Sequence, residues 1–459
     1  MKILLSPNFK INEADLTDLK DKRRTSLSPS EYPANELKNS PVKDLNVVSL
    51  FSGCGGMDLG FEGGFIAHKK SINESITADA IGEQLDPTYV RLKKTRFKTV
   101  FANDIMPDAG NTWYHYFQKH GYNRSIYHLN SIVDLVKDYR TGVNVFPDKT
   151  DVVTGGFPCQ DFSLSGKRKG LNSHKNHKGK LSDESDASEE TRGQLYMWMK
   201  QVIEITRPKM FIAENVKGLV NLSNVKEIIQ KDFAEAADGG YFVFDPQVLH
   251  AADYGVPQSR ERVIFIGVKK SALKPGLLKK LMKKEIDEAL NPYPPVTHQF
   301  NKQGDQLKPL VTLGDVLGLL VEPGESSDLS HQHYSKAKFM GKHCQGQSEI
   351  KLNYIGPTIR SEHHGNIEFR RLSAANDGKY AEELKSGLPE RRLTPRECAI
   401  IQSFPPDFDF VIPGNQPKKK FLVSPSQAYK VIGNAVAPLM AYNIARRIER
   451  LWDVYFEAD

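Results

Sequence analysis

The chain has 459 residues, of which 39% are hydrophobic and 26% charged, enough for two or three domains around a sizeable core. No apolar run reaches the roughly 18 to 20 residues of a membrane span, and the N-terminus lacks the apolar core of a signal peptide, so a cytoplasmic protein without a membrane partner is expected. Four cysteines without CxxC spacing exclude a disulfide framework and a cysteine-rich zinc site, and a net charge of +7 permits a polyanionic partner without requiring one.

Residues 1–44 are polar, without a sustained period, and read as a loose arm. Leu45 to Phe51 (LNVVSLF) is a buried-strand pattern that runs into the glycine turn SGCGGMDLGF. Asp58 stands where a dinucleotide fingerprint wants its third glycine, which disfavours nicotinamide or flavin. The turn reads either as a nucleotide-type cofactor turn or as a tight turn with no ligand. A polar insertion, Ser71 to Lys94, separates it from the strand Phe97 to Asp104. Asp104 ends that strand, where a carboxylate accepts from ribose hydroxyls or caps the helix that follows at Pro107 to Lys119.

The stretch that organises the rest is GGFPCQDFSLSGKRKG, Gly155 to Gly170, at the end of an apolar strand beginning at Asp151. Cys159 sits at the mouth of an α/β sheet just after Pro158, and reads as a presented nucleophile or as a small buried hydrophobe. A long polar stretch, Gly170 to Gln194, follows, then a helix over Leu195 to Thr206 and a strand over Lys209 to Leu219 that carries Glu214 at its carboxyl end. Strand ends on one side of a parallel sheet share an edge, so the Gly53 turn, Asp104, Cys159 and Glu214 should converge. Tyr241 to Val268 reads as two strands around a turn, with Arg260 and Arg262 on the same side of the second. From about 270 the alternation of strands and helices dissolves. The lysine-rich Lys269 to Leu290 reads as a solvated face, and the histidines between His331 and His364 match no common zinc finger, so no metal is expected. Asn434 lies at a Gly-Asn turn before an apolar-periodic terminal helix that returns to the first domain.

In this order SLFSGCGGMDLGF, GGFPCQDFSLSGKRKG, AENVKGL, ADYGVPQSRERVIFIG, RRLTPRECAIIQSFP and QAYKVIGNAVAP resemble the DNA (cytosine-5) methyltransferases, especially those of bacterial restriction–modification systems. The resemblance implies an α/β fold, the Rossmann-like doubly wound sheet of S-adenosylmethionine-dependent methyltransferases, with a smaller, irregular target-recognition domain. The expected division is 1–44 as the arm, 45–270 plus 425–459 as the catalytic and cofactor-binding domain, and 271–424 as the recognition domain. It implies Cys159 as the thiolate that adds to cytosine carbon 6, Glu214 at ring nitrogen 3, Arg262 on the carbonyl oxygen and Arg260 as its supporting neighbour. For S-adenosylmethionine it implies Phe51, Gly53, Cys54, Gly56, Asp104, Ile105, Gly156, Pro158, Leu195 and Asn434. Where many members carry an adenine-binding aspartate, this chain has Asn130 or Ser131. Duplex DNA is the implied partner, with the target base flipped out and Ser163, Ser165, Lys167, Arg168 and Lys169 in the loop that closes on it. Thr358 to Arg371 is the best candidate for base reading. A monomer that shares its site with a cognate restriction endonuclease is implied as well. Two alternatives fit the same motifs: a tRNA cytosine-5 methyltransferase and a catalytically silent DNA-binding protein on this scaffold.

Overall fold

The computed structural model describes residues 43–77, 79–158, 195–221, 225–300, 306–344, 346–361, 367–416 and 419–457. Cys159 and the expected DNA-contacting residues Ser163, Ser165, Lys167, Arg168 and Lys169 lie outside the described residues.

The apolar runs become the strands of a central sheet: β1 (Leu45–Leu50), β2 (Phe97–Asn103), β3 (Tyr127–His128), β4 (Val152–Gly156), β5 (Met210–Val216), β6 (Tyr241–Val243), β7 (Gln247–His250) and β8 (Glu261–Lys269). Their order is β7-β8-β5-β4-β1-β2-β3, with β6 also paired to β8. The pairs from β5 through β3 are parallel and β8 runs antiparallel to β5. Strands covered on both faces need continuous rather than alternating apolar sequence, which is what VVTGG and MFIAENV provide.

Alternate side chains feed two cores. Val47, Met210, Ile212 and Ile264 join one face with α1 (Gly56–Glu62), α2 (Pro107–Phe117) and the terminal helix. Val48, Leu50, Phe211, Ala213 and Phe265 join the other with α3 (Ile132–Arg140), α4 (Leu195–Thr206) and α5 (Val225–Ala234). The chain's far end closes the first face. Three helices follow in this region: α6 (Pro395–Ile401), α7 (Pro425–Asn434) and α8 (Pro438–Tyr455), each with proline in its first turn, where the missing N–H costs no helical bond. Thr394 and Ser424 close capping boxes with Glu397 and Gln427. α8 packs so tightly on α1 that a Cβ on Gly60 would fall 2.4 Å from that of Ala441.

One open reading is filled in and one expectation changes. The polar insertion is a folded unit: Ile66–His68, Tyr89–Leu92 and Ile81–Gln84 form a three-stranded antiparallel sheet, in which Ile66, Val90 and Leu92 bury their side chains and Arg91, buried as well, pairs with Glu83 of the neighbouring strand at 3.3 Å. The segment Tyr241 to Val268 holds three strands rather than two, the first interrupted by Phe244 to Pro246. The lysine-rich stretch begins where β8 ends, at the edge of the sheet opposite the carboxyl ends of the parallel strands. Among the described residues no helix is long and apolar enough to cross a membrane.

Candidate active site

The carboxyl ends of β1, β2, β4 and β5 lie side by side, with the start of antiparallel β8 completing the row. Gly156 pairs with Glu214, and Val216 pairs with Arg262 across the next rung. Glu214 Oε1 meets Arg262 Nε at 2.7 Å, and both side chains are almost withdrawn from solvent, at 11% and 12% exposed. The Arg262 Nη1 also donates to the Glu261 carbonyl at 2.8 Å, so two bonds fix the guanidinium plane. A Cβ at position 156 would stand 3.0 Å from Glu214 Oε2, so glycine there makes room for the carboxylate over the neighbouring strand. Asn215 Nδ2 donates to the Phe157 carbonyl at 3.3 Å, tying the Phe157-Pro158 step that leads to Cys159 to the strand carrying Glu214.

Arg260 stands two residues before Arg262 but does different work. It is 1% exposed, and its guanidinium donates to the carbonyls of Ile359 (3.1 Å), Gly433 (3.0 Å) and Ala435 (2.8 Å). Burial, and then the positive charge of Arg262, push its pKa down. The rigid fork of arginine spans three carbonyls that a lysine could not reach together.

At the cofactor turn, Phe51, Gly53 and Gly55 all have left-handed backbone (φ 53°, 57° and 86°), a conformation that strains a phenylalanine. The turn is held from below. Ser49 Oγ and Trp113 Nε1 donate to the two oxygens of buried Asp58 (2.5 and 2.7 Å), Ser52 Oγ donates to Ser49 Oγ (2.9 Å), and Asn103 N donates to Ser52 Oγ (3.0 Å). Burial raises the Asp58 carboxyl to about 6, against the pull of the Ser49 and Trp113 bonds. Asn103 Nδ2 then reaches the carbonyls of His128 and Asn130 at 2.9 and 2.8 Å, so the ends of three strands are sewn together. Asp104 accepts from Gly53 N at 3.0 Å and Met106 N at 2.9 Å, thereby tying the turn to the entry of α2 as well as facing the edge. Burial raises its carboxyl above the usual range. Tyr127, from β3, donates its hydroxyl to the Gly53 carbonyl at 2.9 Å.

The other expected residues fall as follows. Ile105 is 41% exposed beside Asp104, and Leu129 is 45% exposed at the end of β3. Asn130 is exposed, whereas Ser131 is buried and spends its hydroxyl on the Val133 N–H as the N-cap of α3. Cys54 is buried with its thiol 3.8 Å from the Val431 carbonyl, and burial pushes that thiol far up. Gly56 is pressed against the carbonyl of Val436. Leu195 is the buried first residue of α4, and Asn434, exposed at the end of α7, holds its Nδ2 3.9 Å from Met106 Sδ. His331 bonds Thr394 Oγ1 and the Val321 carbonyl, both at 2.8 Å, a core histidine rather than a ligand. Among the described residues no cluster of three His, Cys, Asp or Glu side chains is disposed to hold a metal. The residues that sequence reasoning missed, Ser49, Asp58, Asn103 and Tyr127, support the turn from beneath. A serine inside the apolar run LNVVSLF was the one local sign of a buried polar partner.

These features suit S-adenosylmethionine. Nothing stands within 4 Å of where a Cβ on Gly53 would lie, Asp104 offers a carboxylate oriented by two N–H donors, and Ile105 and Leu129 flank it with exposed apolar surface. The sheet order and the edge site define an α/β methyltransferase of the Rossmann-like class. The chain belongs to the C-5 cytosine-specific DNA methylase family, whose model matches residues 45–450. It is 31% identical to the type II methyltransferase M.BsuRI of Bacillus subtilis over 90% of this chain and 81% of that protein. It is also 31% identical to M.BspRI of Lysinibacillus sphaericus, over 92% and 85% respectively. The crystal structure of S. pombe Dnmt2 methyltransferase shares the fold at 18% identity, with a TM-score of 0.50 over 89% of this chain and 99% of that one.

Proposed function

We propose that this chain methylates carbon 5 of a cytosine flipped out of a specific short duplex sequence, with Cys159 as the nucleophile and Glu214 and Arg262 as its partners. The observation that carries the reading is the desolvated Glu214–Arg262 pair, 2.7 Å apart, with Glu214 on the strand beside the one that leads into Cys159. Carbon 5 of cytosine is a weak nucleophile. Addition of the Cys159 thiolate to carbon 6, with Glu214 holding or protonating ring nitrogen 3, turns the ring into an enamine whose carbon 5 can accept a methyl group. Arg262 both orients Glu214 and offers N–H donors to the base carbonyl. Loss of the carbon 5 proton then expels the thiolate and restores the ring. When bound, S-adenosylmethionine supplies an electrophilic methyl group on its sulfonium sulfur; Phe51, the Gly53 to Gly56 turn, Asp104 and Ile105 would hold it, with no metal required. The adenine contact falls to Asn130 rather than Ser131, whose hydroxyl already caps α3.

The remaining assignments are part of the same proposal. Residues 45–270 plus 425–459 form the catalytic and cofactor-binding unit, 271–424 the recognition unit and 1–44 an arm. The protein works as a monomer in the cytoplasm and protects the sites cut by a cognate endonuclease. Bisulfite sequencing of plasmid DNA from cells expressing the chain, beside a Cys159→Ala control, tests the activity. Protected cytosines in one short motif, present only with the thiol, are expected; unmodified DNA, or modification by the alanine variant, refutes the assignment.

A further inference from the structure

Three side chains between the catalytic edge and the C-terminal segment are completely enclosed yet polar. Gln258 and Gln402 are 0% exposed and Arg260 is 1% exposed. Gln258 accepts from Ile359 N at 3.1 Å and donates to Gln402 Oε1 at 2.5 Å; Gln402 donates to the Ala435 carbonyl at 2.6 Å. Arg260 closes the circuit on the carbonyls of Ile359, Gly433 and Ala435. Backbone bonds between Ser259 N and the Gly356 carbonyl (2.8 Å), and between Gly356 N and the Pro257 carbonyl (2.9 Å), add a short parallel contact between the arginine turn and the segment Gly356 to Ser361.

The strap Gly433 to Val436 is therefore clamped between two places. On one side a Cβ on Gly433 would strike the Arg360 carbonyl carbon at 2.2 Å; on the other, one on Gly56 would strike the Val436 carbonyl oxygen at 2.2 Å. Segment 356–361 thus touches the strap, and the strap touches the cofactor turn, with no slack at either contact. A buried carbonyl that loses its donor pays its full desolvation penalty, so the strap and the segment shift together or not at all.

We propose that Gln258, Arg260 and Gln402 are positioning residues that couple duplex binding in the recognition region to ligand affinity at the cofactor turn. The inference rests on the DNA-methyltransferase reading and adds to it a route by which one site informs the other. Coupling of this kind is reciprocal: if duplex tightens the cofactor product, the product tightens duplex by the same factor.

The test uses the full chain, S-adenosylhomocysteine and a duplex carrying the sequence found by bisulfite mapping. Calorimetry gives the dissociation constant of S-adenosylhomocysteine with and without duplex for the wild type, Gln402→Met and Gln258→Met. A wild-type ratio of at least about 5 is expected, falling to within twofold of 1 in either variant. Affinity without duplex should change by less than about threefold, which a residue serving only stability would not separate from the ratio. A ratio unchanged in the variants, or a wild-type ratio of 1, overturns the proposal. Failure of both variants to fold does so too, since the clasp would then be scaffold alone. A wild-type chain that methylates no DNA instead undoes the reading beneath it.

Discussion

Removing Arg262 should expose how much Glu214 depends on it. The two charges meet at 2.7 Å with side chains only 12% and 11% exposed. At an effective dielectric of about 20 their attraction is about 6 kcal/mol, most of which offsets the cost of taking both ions out of water. The intact pair therefore adds little net stability. Arg262→Met, in contrast, strands a nearly buried carboxylate and should cost about 3 kcal/mol, the low end for a broken buried pair because some solvent still reaches it. Glu214→Gln alone should cost less, since the amide oxygen can still accept from Arg262. The double substitution should recover most of the loss, giving a coupling energy of about 2 kcal/mol. Urea denaturation of the four proteins measures this, with single-turnover methylation run in parallel, where Glu214→Gln is expected to slow transfer by about 10²–10⁴-fold. A coupling below about 0.5 kcal/mol, the value of an exposed pair, would refute the claim that the site is desolvated.

Gly56→Ala should destabilise the protein by about 2 kcal/mol or more and weaken S-adenosylhomocysteine binding, because the new methyl group would sit 2.2 Å from the Val436 carbonyl; thermal melting and calorimetry check both. Asp104→Asn puts an N–H against the Gly53 or Met106 donor, and a loss of about 10- to 100-fold in S-adenosylhomocysteine affinity is expected by calorimetry. Glu62, which accepts from Thr99 N, has its carboxyl raised to about 7 by burial, against the hydrogen bonds of Thr99 and Tyr122. Because the folded state holds the proton more tightly than the unfolded one, its contribution to stability is complete below about pH 4.5 and is lost as pH rises through 7. Urea midpoints between pH 5 and 8 should fall less steeply in Glu62→Gln than in the wild type; parallel slopes would count against it.

Much of the fold was legible because buried parallel strands need long apolar runs, and LNVVSL, VVTGG and MFIAENV stand out from polar surroundings. The same logic placed the Gly53 turn, Asp104 and Glu214 at one edge, since parallel strands deliver their ends together. The insertion was harder to read. Its strands are short and half polar, and its inner strand Tyr89–Leu92 pairs with Ile66–His68 across the intervening residues 69–88. Alternation put Arg260 beside Arg262 but could not disclose its partners, which lie 99, 173 and 175 residues away. Ser131 and Cys54 show a similar limit: their motif positions were visible, but a helix cap and a core contact that occupy their side chains appear only in three dimensions.

The central claim is a covalent route through Cys159, and trapping tests it most directly. A duplex bearing the mapped target with 5-fluorocytosine in place of the target base can accept the thiolate and the methyl group, but it has no carbon 5 proton to lose, so the enzyme cannot be released. With S-adenosylmethionine present, the wild-type chain should form a denaturant-stable protein–DNA adduct whose mass maps to Cys159, and Cys159→Ser should form none. A wild-type chain that methylates ordinary duplex yet never traps, or an adduct that persists without the thiol, would contradict the account.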